Sequence, residues 1–273
     1  MSRFGVATYP LANILGQRRW QCCARPFPHF VAHDVFAPHF YAELDAAFGE
    51  VLARGLSEGK ESGRFWRNIT NYDAYAVTFD YDMLPPFQVF ISREWHDMLA
   101  QLAAIPATGE VSGGFHHHSP GSSSGEIHND LNPGWFINSV EMSQLNLSRS
   151  DLCDYNTGAA YQSGLQVHES VRALAVLFYL HNEPWREGDG GETGLYDSSR
   201  QPVLEPTKAV PPINNSLLAF ECRPNSFHSF IQNRRAARNS MIMWLHRPKQ
   251  DVAQRWGEGA IVGWGQSATG GER

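Results

Sequence analysis

Runs of apolar residues divide the chain into short segments, most of which have the pattern of β-strands. Turn-forming residues, such as the Gly/Ser-rich stretch 120–125, separate these segments. The run 171–182 is apolar nearly throughout, which predicts a strand buried on both faces. The core strands that we predict are 115–118, 126–130, 171–182, 216–222 and 239–247.

Helical periodicity is confined to the first part of the chain. Pro38 favours the first position of a helix that we expect to end near Gly55, and Ser92 is typical of the N-cap of a second helix. A short strand over 26–36 precedes them. Helices ahead of a run of strands would brace one face of a sheet. The predicted fold is therefore mainly β with a helical brace, around a double-stranded β-helix (jelly roll, cupin-like) core.

The pattern also predicts how the chain is divided. We expect an N-terminal strand/helix brace over 1–110, a jelly-roll catalytic core over 111–250 with an insert at 131–169, and a loose Gly-rich tail over 251–273. The insert has no sustained period, which is typical of functional or mobile segments. Because it begins directly after Asp130, we predict a lid, with a rigid excursion and a partner-binding loop as alternatives. The glycines that could act as its hinges are Gly134, Gly158 and Gly164.

Composition narrows the classes of partner. The 273 residues are 42% hydrophobic and 18% charged, as in ordinary globular proteins, and the net charge of −6 gives no basic footprint for nucleic acid. No apolar run approaches the length of a membrane span, and no apolar signal-peptide region follows Arg3. The four cysteines form neither a CxxC pair nor a disulfide framework. We therefore predict a cytoplasmic protein without nucleic-acid or membrane partners, and leave its oligomeric state open.

A candidate metal site comes from three residues. In a strand, His128 and Asp130 would point to the same face. His228 follows them by a hundred residues, just past the strand 216–222, and a jelly roll can bring the two segments together. Two imidazoles and one carboxylate on one side of a metal form the facial triad of non-haem Fe(II) oxygenases. A structural zinc site would need four ligands, and the cysteines are badly placed for one.

Arg238 is the candidate partner of a second ligand. It begins the last predicted strand, and Ser240 would share its face. A buried arginine is costly unless it meets an acid, and its planar fork matches a carboxylate. A dicarboxylate such as 2-oxoglutarate could bind iron with its keto-acid end and Arg238 with the other. Arg234 and Arg235 are close alternatives, but Arg238 leads directly into the strand.

These residues resemble the Fe(II)/2-oxoglutarate-dependent oxygenases of the prolyl-hydroxylase-like branch. The family order HxD…H…R/K is matched by His128, Asp130, His228 and Arg238. The resemblance covers about 111–248 and departs at Ala175 and His181, where the family has threonine and asparagine. Four flanking motifs match as well: PGSSSGEIHND at 120–130, RALAVLFYLHN at 172–182, GDGGETGLYD at 188–197 and RNSMIMWLHR at 238–247.

The resemblance implies a jelly roll with a helical brace, an Fe(II) cofactor, 2-oxoglutarate and O2 as cosubstrates, and ascorbate as a stimulant. It implies that the Tyr179 hydroxyl reaches the distal carboxylate of 2-oxoglutarate and that Thr193 lines the same pocket. Family members that halogenate carry a small residue where this chain has Asp130. The resemblance therefore implies oxygen insertion, most simply hydroxylation, with desaturation and ring closure as alternatives.

The substrate is predicted from the aromatic residues of the insert. They favour a partly apolar small molecule, or a peptide; they are Trp135, Phe136, Tyr155 and Tyr161. We predict a dioxygenase that hydroxylates an unactivated C–H bond of a small molecule, natural-product- or amino-acid-like, and converts 2-oxoglutarate to succinate. The alternatives are a protein or peptide prolyl-type hydroxylase and a non-catalytic cupin-like protein that binds a metal or small ligand.

Two further features stay open at this level. Alternation along 116–118 would let His116 and His118 line a pocket while His117 faces away. Arg172 begins its strand, where it is either a substrate or rim residue or simply solvated.

Overall fold

The computed structural model describes residues 9–67, 72–138 and 144–263. The helices are α1 (Leu11–Ile14), α2 (Pro38–Ala53), α3 (Arg93–Ala103) and α4 (Lys249–Trp256), with 3-10 turns at Pro85–Ile91 and Glu258–Ala260. The strands are β1 (Gln21–Cys23), β2 (His29–Ala32), β3 (Leu56–Ser57), β4 (Phe65–Trp66), β5 (Tyr75–Thr78), β6 (Glu110–His118), β7 (Pro133–Ile137), β8 (Asn146–Leu147), β9 (Val167–Tyr179), β10 (Thr193–Leu195), β11 (Lys208–Val210), β12 (Ser216–Glu221), β13 (His228–Phe230) and β14 (Arg238–Pro248). Among these described helices none is both long and apolar enough to cross a membrane.

Two sheets build the core. The larger has the order β1-β2-β12-β9-β14-β6-β5-β4-β3, with β7 paired to β9 and β8 paired to β6. The smaller has the order β11-β10-β13. Strands that are distant in sequence are neighbours in both sheets, as the predicted jelly roll requires.

The central strand β9 separates two apolar layers. Its even-numbered residues from 174 to 178 pack with the helices, whereas its odd-numbered residues from 175 to 179 pack in the interior between the sheets. All six are buried, which confirms that this strand is covered on both faces.

The predicted helical brace is present. α2 begins at Pro38, and Gly55 has a φ of 85° just beyond its end, a backbone conformation that suits glycine. α3 is capped by the Ser92 hydroxyl, which accepts a hydrogen bond from the Trp95 backbone N–H. The Trp95 indole in turn lies against Met243 of β14, 3.4 Å from its sulfur. The two helices therefore cover the outer face of the large sheet.

The structure corrects the prediction of a strand over 126–130. Only His128 forms a β-bridge there, and Asp130 has a φ of 60°, in the left-handed region. The same-face argument for the HxD pair therefore does not apply, because the chain turns at Asp130 rather than continuing as a strand.

The structure also corrects the prediction of a loose tail for the part of 251–273 that is described. α4 runs to Trp256, and Val252 is fully buried beneath the large sheet. Arg255 on this helix binds Glu221 of β12 at 2.7 Å. One fully buried residue and ion pairs of this kind leave no strong pattern in a short helix. Residues 264–273 lie outside the described part.

The segment 131–169 begins as part of the sheet. β7 pairs with β9 from Pro133 to Ile137, and β8 runs parallel to β6. Residues 139–143 lie outside the described part. Strands on both sides of residue 110 share the large sheet, and the predicted division of the chain at 110 and 250 stays a prediction.

Candidate metal and cosubstrate site

A β-bridge brings His128 and His228 side by side. The backbone N–H of each residue donates to the carbonyl of the other, at 3.0 and 2.8 Å. Their ring centroids lie 4.3 Å apart. Residues a hundred positions apart in the chain are thus held in register by backbone hydrogen bonds.

Asp130 completes the cluster from the turn that follows His128. Its Oδ1 lies 3.6 Å from His128 Nε2, and its Oδ2 lies 3.3 Å from His228 Nε2. One ligand atom from each of the three residues lies within 4.8 Å of the other two. The left-handed backbone at Asp130, rather than strand alternation, directs its carboxylate towards the two rings.

The tautomers of both rings suit metal binding. His128 Nδ1 donates to the Glu126 carbonyl at 2.8 Å, and His228 Nδ1 donates to the Ser226 carbonyl at 2.9 Å. Because a carbonyl can only accept, Nδ1 carries the hydrogen and Nε2 carries the lone pair. Two imidazole Nε2 atoms and a carboxylate that converge in this way can bind one cation together. The donor set therefore fits an Fe(II) ion.

Burial and the neighbouring groups together set the pKa values of His128 and Asp130. Burial, followed by the neighbouring His228, lowers the pKa of His128 to about 4, so its ring is neutral near pH 7. Burial alone would raise the pKa of Asp130, but Arg172 and the two histidines lower it below its usual range. The cluster therefore presents a neutral His128 imidazole beside an ionised carboxylate.

Both carboxylate oxygens of Asp130 are held from behind. Arg172 Nη1 donates to Oδ1 at 2.7 Å, and Trp244 Nε1 donates to Oδ2, also at 2.7 Å. The Arg172 guanidinium lies 3.8 Å from the centroid of the Trp244 ring. Asp130 is 2% exposed, so these contacts fix its orientation in a site from which water is largely excluded.

Arg238 lies in the same cavity, and among the described residues its side-chain hydrogen bonds go to hydroxyl groups. Its Nη1 donates to Ser240 Oγ at 2.8 Å, and its Nη2 donates to Thr193 Oγ1 at 3.2 Å. The Tyr179 hydroxyl is 2.7 Å from the same Thr193 oxygen. Arg238 is 1% exposed, and within the described residues no carboxylate pairs with it. Arg234 and Arg235, the alternatives weighed from the sequence, are exposed.

A cavity of about 340 Å³ connects the two clusters. All three members of the His/Asp cluster line it, as do Arg238 and Thr193. Ser240 and Tyr179 lie behind them, bonded to Arg238 and Thr193. The structure therefore brings all seven residues singled out from the sequence to one cavity or to its immediate support.

The histidine run divides between two faces. His116 lines the cavity, and burial, then Arg238 and Arg172, lower its pKa to about 3. His117 faces the other side, where its Nδ1 is 2.8 Å from the Asn239 side-chain oxygen. His118 stacks on Phe230 at 3.9 Å, behind the cavity wall. The prediction for His116 and His117 is confirmed, whereas His118 supports the wall instead of lining it.

Arg172 reaches the interior through an irregularity of β9. Leu245 pairs with Leu174, but His246 pairs with Arg172, so Ala173 is an extra residue in β9. Simple alternation would place Arg172 on the outer face with Leu174, and the bulge turns it inwards. A bulge has no clear sequence signal. Trp244, in contrast, is six residues after Arg238 on the same strand face, and that spacing could have placed it in the cavity.

A comparison with known proteins indicates the class of enzyme to which this site belongs. The family model of the 2OG-Fe(II) oxygenase superfamily matches residues 150–246, a range that includes His228 and Arg238. The family match and the His/Asp/His cluster together indicate an Fe(II)- and 2-oxoglutarate-dependent dioxygenase that uses O2. The predicted family, enzyme class and cofactors are thereby confirmed. No curated protein matches the chain significantly.

Solved structures support the fold. A Pseudomonas putida prolyl-4-hydroxylase is similar with a TM-score of 0.51 and 14% identity, over 80% of this chain and 92% of that chain. A Trichoplax adhaerens prolyl hydroxylase, solved with a peptide fragment of the hypoxia inducible factor oxygen degradation domain, is similar with a TM-score of 0.52 and 15% identity. That similarity covers 83% of this chain and 86% of the other. At these identities the likeness confirms the double-stranded β-helix fold and nothing finer.

Proposed function

We propose that the protein hydroxylates an unactivated C–H bond of a small molecule, with His128, Asp130 and His228 as the iron ligands and Arg238 as the partner of 2-oxoglutarate. In the overall reaction, the substrate C–H, O2 and 2-oxoglutarate give the C–OH product, succinate and CO2. The observation that carries the proposal is the pairing, in one cavity, of a convergent two-histidine, one-carboxylate set with a buried arginine that lacks an acid.

The roles of the residues follow from their contacts. Iron and 2-oxoglutarate, when bound, supply the oxidising chemistry of the superfamily. Arg238 binds the distal carboxylate of the cosubstrate, with Ser240 and Thr193 fixing the guanidinium and Tyr179 fixing Thr193. The presence of Asp130 as a third protein ligand favours hydroxylation over halogenation.

A small-molecule substrate is supported by the size and covering of the cavity. A volume of about 340 Å³ is at the lower end of ligand pockets and must hold the cosubstrate as well. Residues from the segment 131–169 lie along its wall, among them Tyr155 and Asn156. Such a covered space takes a small molecule or one side chain of a larger one.

The second candidate, a peptide prolyl hydroxylase, is supported equally by the fold. Both similar structures are of prolyl hydroxylases, one of them in complex with a peptide fragment. A single proline ring of a peptide would also fit into a cavity of about 340 Å³. The family match decides against the third prediction, a non-catalytic cupin-like binding protein.

Product analysis separates the two candidates. The Fe(II)-loaded protein is incubated in air with 2-oxoglutarate and either a metabolite extract or a library of proline-containing peptides, and gains of one oxygen atom are followed by mass spectrometry. We expect the gain, with matching succinate, in the metabolite fraction. An oxygen gain on peptides alone would replace the proposal by the second candidate. Asp130→Ala serves as the inactive control.

The segment 131–169 is proposed to act as a lid, because four of its described residues line the cavity: Ser148, Ser150, Tyr155 and Asn156. Limited proteolysis within it should be rapid in the metal-free protein and slow with metal, 2-oxoglutarate and substrate together. Equal cleavage rates in the two states would favour a rigid excursion. We also propose a reducing cytoplasmic location, since all four cysteines are free thiols and Cys22 is exposed.

A further inference from the structure

A hydrogen-bond network at one end of the cavity involves Tyr155, a residue of the segment 131–169. Its hydroxyl lies 2.9 Å from Ser112 Oγ and 3.2 Å from His246 Nε2, and it accepts from Arg172 Nε at 3.4 Å. Ser112 pairs with Trp244, six residues along β14 from Arg238. The network is therefore remote from the proposed distal carboxylate of 2-oxoglutarate.

The partners of Tyr155 in this network, Ser112 and His246, are held in the strands of the large sheet. His246 is fully buried, and its two ring nitrogens lie 3.0 Å from Ser112 Oγ and 3.1 Å from Ser170 Oγ. All three of these residues belong to central strands of the large sheet, β6, β9 and β14. Burial and the nearby Arg172 lower the pKa of His246 well below its usual value, so the ring adds no second positive charge. Tyr155 thus docks a loop onto a fixed, neutral polar site.

Arg172 connects this docking site to the ligand cluster. Nη1 binds Asp130 Oδ1 and Nε binds the Tyr155 hydroxyl, so one planar guanidinium is held from both ends. The Trp244 ring lies at 3.8 Å from the guanidinium carbon, and the Tyr155 ring lies at 5.9 Å. Arg172 is 8% exposed, so few water molecules could replace a lost partner.

We infer that Tyr155 is a positioning residue for the Asp130 carboxylate and acts on it through Arg172. The inference rests on the proposed function, in which Asp130 binds iron. If Tyr155 leaves its site, Arg172 Nε loses a buried acceptor and the guanidinium loses one of the contacts that set its angle. The Asp130 oxygen that it binds is then less well placed for the metal.

A consequence is that metal binding and the seating of Tyr155 favour each other. Two events that share one conformational element are linked, and each strengthens the other by the same factor. The metal affinity of the ligand cluster would therefore depend on whether Tyr155 of the segment 131–169 is seated over the cavity.

The test measures the metal site without turnover. Co(II) is titrated into the metal-free protein in the absence of 2-oxoglutarate, and its affinity and visible d–d absorption are recorded for the wild type and Tyr155→Phe. The variant loses only a hydroxyl and changes no charge. We expect about tenfold weaker Co(II) binding, as for other partners of metal ligands, and an altered absorption band. Tyr161→Phe, in the same segment but 58% exposed, is the matched control and should behave as the wild type.

A second pair of variants tests the route through Arg172. In an Arg172→Gln background, Tyr155→Phe should add no further change in Co(II) affinity, because the connection is already broken. Additive effects of the two substitutions would overturn the inference, and so would a wild-type affinity and spectrum for Tyr155→Phe. Asp130→Ala distinguishes the two levels of proposal. If it binds Co(II) as the wild type does, the proposed ligand set itself is wrong.

Discussion

Two buried arginines line the same cavity and are used differently. Arg172 has an acid within the chain, Asp130, and stacks on Trp244. Arg238 has hydroxyl groups and no acid as hydrogen-bond partners within the described part of the chain, although it is even less exposed. Burial of an unpaired cation is unfavourable, so Arg238 is best explained by an anion that arrives with a ligand. The comparison teaches that the missing acid, more than burial itself, marks a binding arginine.

The largest effect should come from removing Asp130, the acidic partner of Arg172. Asp130→Ala takes away a proposed iron ligand and leaves Arg172 buried without an ionic partner. We expect loss of metal binding and turnover, and a free energy of unfolding about 3 kcal/mol lower in the metal-free protein. Urea unfolding and metal analysis measure the two losses separately.

A double variant sharpens this prediction. Asp130→Ala combined with Arg172→Met removes the unpaired charge and should regain much of the stability but none of the metal binding. A double variant as unstable as the single one would show that Arg172 is not the source of the instability.

The next largest effect should come from substituting Arg238, the arginine without an acidic partner among the described residues. Arg238→Leu should raise the concentration of 2-oxoglutarate needed for half-maximal turnover about 30-fold or more, because a buried ligand carboxylate loses a charged partner worth roughly 2–4 kcal/mol. Stability should change little, since no internal ion pair is broken. The exposed neighbour Arg234→Leu is the control. An unchanged requirement in Arg238→Leu would transfer the role to another cation.

A smaller effect should follow from loosening the surroundings of Arg238. Tyr179→Phe removes the hydroxyl that lies 2.7 Å from Thr193 Oγ1, the atom that also accepts from Arg238. A loss of about 1 kcal/mol corresponds to about fivefold weaker 2-oxoglutarate binding. Calorimetric titration of 2-oxoglutarate into the metal-loaded protein without O2 measures it. An effect as large as that of Arg238→Leu would mean that the tyrosine contacts the ligand directly.

The smallest effect concerns His116, which both arginines influence. Burial first, then Arg238 and Arg172, lower its pKa from 6.5 to about 3 in the folded protein. The unfolded chain therefore binds the proton more readily, and this contribution to stability is complete above pH 6.5 and is lost as the pH falls towards 3. Unfolding measured between pH 7 and 4 should show a shallower decline for His116→Gln. Identical slopes would contradict the assignment.

The two arginines also show how much of the site can be predicted from the sequence. Arg238 was identified because it begins a strand whose alternation places Ser240 beside it, and alternation is a local property. The sequence does not decide the role of Arg172, because a bulge at Ala173 determines its direction and that bulge depends on pairing with β14. Asp130 joins the cluster for a reason that the sequence does not show, since its direction comes from a left-handed turn and not from a strand. Tyr155 was noted only as an aromatic residue of the insert, because its partners Ser112 and His246 come from distant strands.

The β-bridge between His128 and His228 has a consequence for the timing of metallation during synthesis. A chain still emerging from the ribosome presents His128 and Asp130 about a hundred residues before it presents His228. The imidazole of His228, the third proposed ligand, is then fixed only when its backbone pairs with that of His128. Of the proposed ligand set, a nascent chain stopped before residue 228 holds two of three donors, in no fixed geometry. With the proposed ligand set, we expect iron to be acquired after translation of the core, by a protein whose two sheets have already met.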